Sequence, residues 1–116
     1  MSDVQPSLSR HEPIDNGVLV YLLSDIEFSQ SPQLRTELMT LLEKEQPQRL
    51  IVDLSSVQYM DSSGVATLIE VLQHQRRNHH QLVLCSLQAK VLSILEIARL
   101  DQLLTIVKDI DTAKQQ

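Results

Sequence analysis

A chain of 116 residues with 42% hydrophobic and 22% charged content is sized for one small domain, and at 3% aromatics its core must be aliphatic. A formal net charge of -5 excludes a broad basic footprint for nucleic acid, since Arg76-Arg77 is the one basic pair. Apolar runs such as Val18 to Leu23 fall far short of the roughly 20 residues of a membrane span, and no signal-like order opens the chain, so a cytosolic protein without membrane insertion is expected.

Met1 to His11 is polar with an early Pro6, and the first ten residues are expected to fray before an edge strand within Ser7 to Ile14. Asp15-Asn16-Gly17 reads as a hairpin turn, because Asn-Gly accepts the positive φ angles of tight turns. Val18 to Leu23 is the strand that follows. Ser24 to Gln30 has no clear period and should be a loop carrying two acids, Asp25 and Glu27. Ser31 is placed as N-cap and Pro32 as first helical residue, with Leu34, Leu38, Leu41 and Leu42 at helical spacing and Pro47 ending the helix.

Arg49 to Leu54 is nearly continuous in apolar character, as expected of a strand with helices over both faces. From Ser63 to about Arg77, the apolar face is assigned to Val65, Leu68, Ile69 and Leu72. Thr67, Glu70, Gln73 and His74 are turned away, and Val71 lies off the stripe as an exposed apolar residue. Asn78 to Gln81 is a turn and Leu82 to Ser86 a third buried strand, with Cys85 as a small core residue. A helix over Gln88 to Arg99 should point Val91, Leu92, Leu95 and Ala98 inward. Leu103 to Val107 is a short strand, and the tail is helix-compatible, with 112 to 116 expected to fray. Strands alternating with helices imply an α/β fold with a mostly parallel sheet.

The stretch between Leu54 and Val65 is the candidate site. Asp61-Ser62-Ser63-Gly64 opens a helix-period segment and so sets two hydroxyls and a carboxylate at a helix N-terminus. On spacing alone, helix capping is the simpler use of these residues. A serine hydrolase would need a histidine base, yet His74, His79 and His80 lie about 16 Å or more along the helix axis, leaving only His11. His79-His80 lacks Cys or acidic partners at zinc-site spacing and reads as a solvent-facing turn. Two glycines in the whole chain provide no phosphate loop. Ser55-Ser56 precedes no helix and is read as a strand-exit turn.

The order strand, loop, Met-Asp-Ser-Ser-Gly, amphipathic helix, strand and helix with Leu100-Asp-Gln-Leu-Leu104 resembles the STAS domain family, in particular a stand-alone bacterial anti-sigma factor antagonist. Val52 to Gly64 carries the resemblance, which covers roughly Leu19 to Val107, and the acidic loop Ser24 to Glu27 supports it. It implies a single STAS domain over 1 to 116, with a mixed, mostly parallel sheet of four to five strands and about four helices. It implies phosphorylation of Ser62 by a serine kinase that is also the anti-sigma factor and binds the ATP, with reversal by a serine phosphatase. Asp61, Ser63, Gly64, Asp25, Glu27, Val65 and Ala66 would frame the phosphosite and meet the partner. The chain departs from the family where glycine is usual, at Ser24, Ala66 and Arg99.

On this reading the protein is a binding module, not an enzyme, with no cofactor. Unphosphorylated, it sequesters the kinase; phosphorylated on Ser62, it releases it. A phosphate of about -1.5 to -2 charge would sit well at a helix N-terminus, so the switch should act at the surface and not by unfolding. The alternative is a non-switching STAS accessory subunit of a transporter or multi-protein signalling complex. A hydrolase is the third hypothesis, open to a test with generic esters.

Overall fold

The structure, a computed structural model, describes residues 6–116. The elements run β1 (Ser9–Ile14), β2 (Gly17–Leu22), α1 (Ser31–Glu45), β3 (Arg49–Asp53), α2 (Ser62–Arg77), β4 (Gln81–Cys85), α3 (Ala89–Ile97), a 3-10 turn (Leu100–Gln102), β5 (Thr105–Val107) and α4 (Ile110–Lys114). The five strands lie in the order β1-β2-β3-β4-β5; β1 is antiparallel to β2 and all other pairs are parallel. The mostly parallel α/β architecture read from the alternation of elements is therefore observed, as is the mixed sheet that the resemblance implies.

Side chains alternate across each strand, so the sheet has two cores. On one face Val18, Val20, Leu22, Leu50, Val52, Leu54, Leu82 and Leu84 pack under α1, α2 and α3 through Leu34, Leu38, Leu42, Leu68, Val71, Val91 and Leu95. On the other face Leu19, Ile51, Val83 and Cys85 are buried with Ala113 of the short α4. Cys85 is buried as expected, and burial pushes its thiol up to about 11, which keeps it protonated and unreactive at neutral pH.

Of the ten leading residues expected to fray, Met1 to Gln5 lie outside the described residues, and Ser9 and Arg10 stand in β1. The Glu37 carboxylate accepts from the Leu8 N–H at 3.0 Å, the Ser9 N–H at 3.1 Å and the Ser9 hydroxyl at 2.6 Å. Burial raises the Glu37 pKa, but these bonds outweigh it and hold the group below the usual range. Along this open edge Pro13 has no N–H to offer another strand. At the other terminus α4 extends to Lys114, with the Asp109 side chain capping it through the Thr112 N–H.

Several local expectations are corrected. In the hairpin the positive φ belongs to Asn16, at 63°, while Gly17 opens β2 with negative φ. Gly17 is needed for closeness: a Cβ there would lie 1.8 Å from the Arg49 carbonyl oxygen. Ser31 is the first residue of α1 and does not cap it; the N-cap is Gln30, without a side-chain bond, and Pro32 follows within the first turn.

The buried face of α2 is Gly64, Thr67, Leu68, Val71, Leu72 and Gln75, rotated from the expected stripe. Val71 is fully buried, while Val65 and Ile69 are half-buried. Apolarity misses this face because Thr67 and Gln75 find acceptors inside, the Thr67 hydroxyl donating to the Ser63 carbonyl and Gln75 Nε2 to those of Pro47 and Gln81, while Gln75 Oε1 is buried without a partner among the described residues. Helix α3 is shorter than expected: Leu92 is half-buried, Ala98 is exposed, and Arg99 turns left-handed at φ 59°. That conformation suits the glycine usual in the resembling family. Leu103 lies before β5 and is 49% exposed. His74 and His80 are half-buried, not solvent-facing, and the Nδ1 atom of each is buried without a partner among the described residues.

Candidate functional site

Strand β3 ends at Asp53, and the chain crosses the carboxyl end of the sheet before α2 begins at Ser62. Ser55-Ser56 forms the expected turn, and the Asp53 carboxylate accepts the Ser55 hydroxyl at 2.6 Å. Buried Val57 and Met60 then anchor the crossing segment to the core.

The acidic loop after β2 lies alongside it. Ile26 and Met60 form an isolated parallel bridge; the Ile26 N–H donates to the Tyr59 carbonyl at 3.1 Å, and the Asp61 N–H to the Ile26 carbonyl at 3.0 Å. Asp25 Oδ1 accepts from the Gln58 and Tyr59 N–H groups at 2.7 and 3.1 Å, so this half-buried acid positions backbone. Glu27 is exposed. The structure thus brings together the two segments named from the sequence, although they are more than thirty residues apart in the chain.

Asp61 is the N-cap of α2. Its Oδ1 accepts the Ser63 N–H at 2.9 Å, the Gly64 N–H at 3.3 Å and the Ser63 hydroxyl at 2.5 Å, while Oδ2 accepts the Phe28 N–H at 2.9 Å. The Ser63 hydroxyl bond, followed by the backbone donors, holds the Asp61 carboxyl below the usual carboxylate range. Gly64 is buried against Ile26, where a Cβ would meet the Ile26 side chain at 2.9 Å and its carbonyl oxygen at 3.0 Å. A larger residue would force the acidic loop away from the helix start.

The two hydroxyls differ. Ser63 Oγ is bonded to Asp61 and lies 2.5 Å from Ser31 Oγ, which also donates to the Glu27 carbonyl at 3.0 Å. Ser62 is exposed, and its hydroxyl makes no side-chain hydrogen bond among the described residues. Val65 is half-buried and Ala66 exposed on the next turn.

Among the described residues, no group of three or more His, Cys, Asp or Glu is arranged to hold a metal ion, and no helix is long and apolar enough to cross a membrane. The roomiest described cavity, about 730 Å³, is at the opposite end of the sheet, lined by Asn16, Gln48, Arg49, His79 and His80 among others. Sequence reasoning gave no role to Phe28, Tyr59 or the Ser31 hydroxyl at the site. An aromatic in an otherwise polar loop was the available signal for Phe28; the Ser31–Ser63 pairing left none.

Known proteins share this fold. The family model for the STAS domain matches residues 5–113. A Bordetella bronchiseptica protein named as an anti-sigma factor antagonist, BtrV, is 28% identical over 87 residues, covering 75% of this chain and 74% of its own length. The crystal structure of a Thermotoga maritima protein named as an anti-sigma factor antagonist superposes with a TM-score of 0.86 at 17% identity, covering 91% of each chain. The Bacillus cell fate determinant SpoIIAA, solved in a phosphorylated form, superposes with a TM-score of 0.70 at 14% identity, covering 92% of this chain and 97% of its own.

Proposed function

The chain belongs to the STAS domain family, and we propose that it is a cytosolic, single-domain anti-sigma factor antagonist, a binding module controlled by phosphorylation of Ser62. Unphosphorylated, it holds a serine kinase that is itself the anti-sigma factor and binds the ATP; phosphorylated, it lets that kinase go, and a serine phosphatase restores binding.

The observation that carries this reading is the difference between the two hydroxyls. Ser62 is exposed and its hydroxyl unengaged among the described residues, at the first helical position, whereas Ser63 is bonded to Asp61 and lies against Ser31. A kinase must reach an oxygen with a free lone pair, and Ser62 presents one without breaking the cap. The structure of SpoIIAA in a phosphorylated form supports the reading, since a protein of this fold can be phosphorylated.

Phosphate on Ser62 would sit at the positive end of a 16-residue helix, whose Ser63 and Gly64 N–H groups stay with the Asp61 cap, an arrangement favourable by on the order of 1 kcal/mol. The domain therefore tolerates it. A partner covering Ser62 would not, because the dianion would be desolvated beside Asp61 and the exposed Glu27. Moving a complex from nearly all bound to nearly all free takes about 5.5 kcal/mol of differential affinity, within reach of a buried, uncompensated phosphate.

The test is a pull-down from the native host with wild type and Ser62→Asp as baits, with mass spectrometry of the captured proteins and of the bait. A serine kinase captured by wild type, lost by at least about 100-fold with Ser62→Asp, and phosphate on Ser62 are expected. Equal capture of the kinase by both baits overturns the switch, and phosphate on Ser63 in place of Ser62 overturns the site.

A further inference from the structure

Two of the chain's three aromatic side chains stand in solvent on the segments that frame Ser62. Phe28, the sole phenylalanine, is 72% exposed, and Tyr59 is 43% exposed. Neither is needed by a core built from Leu, Ile and Val.

Their backbones are nevertheless fixed. The Phe28 N–H donates to Asp61 Oδ2 at 2.9 Å, and the preceding Glu27 carbonyl accepts from the N–H groups of Gln30 and Ser31 and from the Ser31 hydroxyl. Tyr59 is held by Asp25 through its N–H and by Ile26 through its carbonyl. Asp61 thus caps α2 with one oxygen and pins Phe28 with the other. A large apolar side chain on a fixed backbone loses little conformational freedom when a partner covers it, which is the character of an interface hot spot.

We propose that Phe28, with Tyr59 as a second contact, is the apolar anchor by which this chain docks on the serine kinase that reads Ser62. It enters an apolar socket on that kinase bordered by lysine or arginine, and the assignment rests on the reading of Ser62 given above. The basic border follows from charge: Glu27 is exposed next to Phe28 and Asp61 lies beneath its backbone, so a wholly apolar socket would desolvate carboxylates without compensation. Continuity supports the same occupant, because the Asp61 carboxylate joins Phe28 directly to the turn that presents Ser62. Ile97, 84% exposed, is the natural control: it ends α3, which returns from the carboxyl end of β4 toward the start of β5 and so carries it away from Ser62.

The experiment titrates the purified kinase identified by the pull-down with wild type, Phe28→Ala, Phe28→Leu, Ile97→Ala and Ser62→Ala, with a thermal melt of each. Phe28→Ala should weaken Kd by roughly thirty-fold or more, and Phe28→Leu by less than about ten-fold. Ile97→Ala should stay within about two-fold of wild type, and all melts should agree within about 2 °C. Phe28→Ala binding within about two-fold of wild type, or Ile97→Ala losing as much as Phe28→Ala, overturns the anchor. If wild type binds the kinase and is phosphorylated on Ser62 while Phe28→Ala binds unchanged, the anchor alone fails. If wild type binds no serine kinase, the reading of Ser62 fails and the anchor with it. Ser62→Ala that binds without accepting phosphate separates docking from modification.

Discussion

The two ends of α2 use polar residues in opposite ways. At the C-terminal end Gln75 is fully buried, and its Nε2 donates to the carbonyls of Pro47 at 3.0 Å and Gln81 at 2.9 Å, tying the helix to the entries of β3 and β4. At the N-terminal end the Asp61 carboxylate and the Ser63 hydroxyl are engaged in much the same spirit, but Ser62 between them is left outside every such bond among the described residues. One end holds its amide by the nitrogen, with Oε1 buried and unpartnered among the described residues; the other is closed around a single free hydroxyl. The difference teaches how a small domain keeps a modifiable group available: the neighbours carry the structural bonds, so the group itself can change without loosening the helix.

Substitutions grade this contrast. Gln75→Ala, which strands two carbonyls and opens a cavity at the closed end, should cost about 2–4 kcal/mol in urea-induced unfolding. Asp61→Ala removes the cap of a helix that packs on the sheet and should cost less than Gln75→Ala but clearly more than Ser62→Ala by the same measurement. Ser62→Ala should cost less than about 0.5 kcal/mol. A loss at Ser62 as large as that at Asp61 would make the hydroxyl structural and erase the difference between the ends.

Acid provides the finest probe. Asp61 has a folded pKa below its ordinary 3.8, so its bonds stabilise the native state fully above that pH and are lost as pH falls through the depressed folded value. Hydrogen exchange of the Ser63, Gly64 and Phe28 amides, corrected for intrinsic rates, should therefore quicken below about pH 4. Amides beside Gln75, a group that does not titrate, should not quicken over the same interval. Asp61→Asn should abolish the acid response at the N-terminal end.

Much of the architecture was legible because three strands are short, nearly continuous apolar runs separated by helix-period segments, a pattern with few packing solutions. Val18 to Leu22, Leu50 to Asp53 and Leu82 to Cys85 all fall inside strands expected from that pattern. The face of α2 was less legible. Thr67 and Gln75 look like surface residues until Ser63, Pro47 and Gln81 present carbonyls to them, and Val71 looks stranded until the helix is rotated to bury it. Likewise Gly17 reads as a turn residue, although the approach of Arg49, thirty-two positions away, is what excludes a side chain there.

By itself the sequence determined the order of elements, the aliphatic character of the core and the presence of hydroxyls and a carboxylate at one helix start, since these rest on composition, period and capping chemistry within a few residues. The tertiary structure alone decided which hydroxyl is free. That choice depends on Ser31 meeting Ser63 and on Asp61 reaching Phe28, contacts across about thirty residues that arise only when the loop after β2 and the start of α2 are packed together.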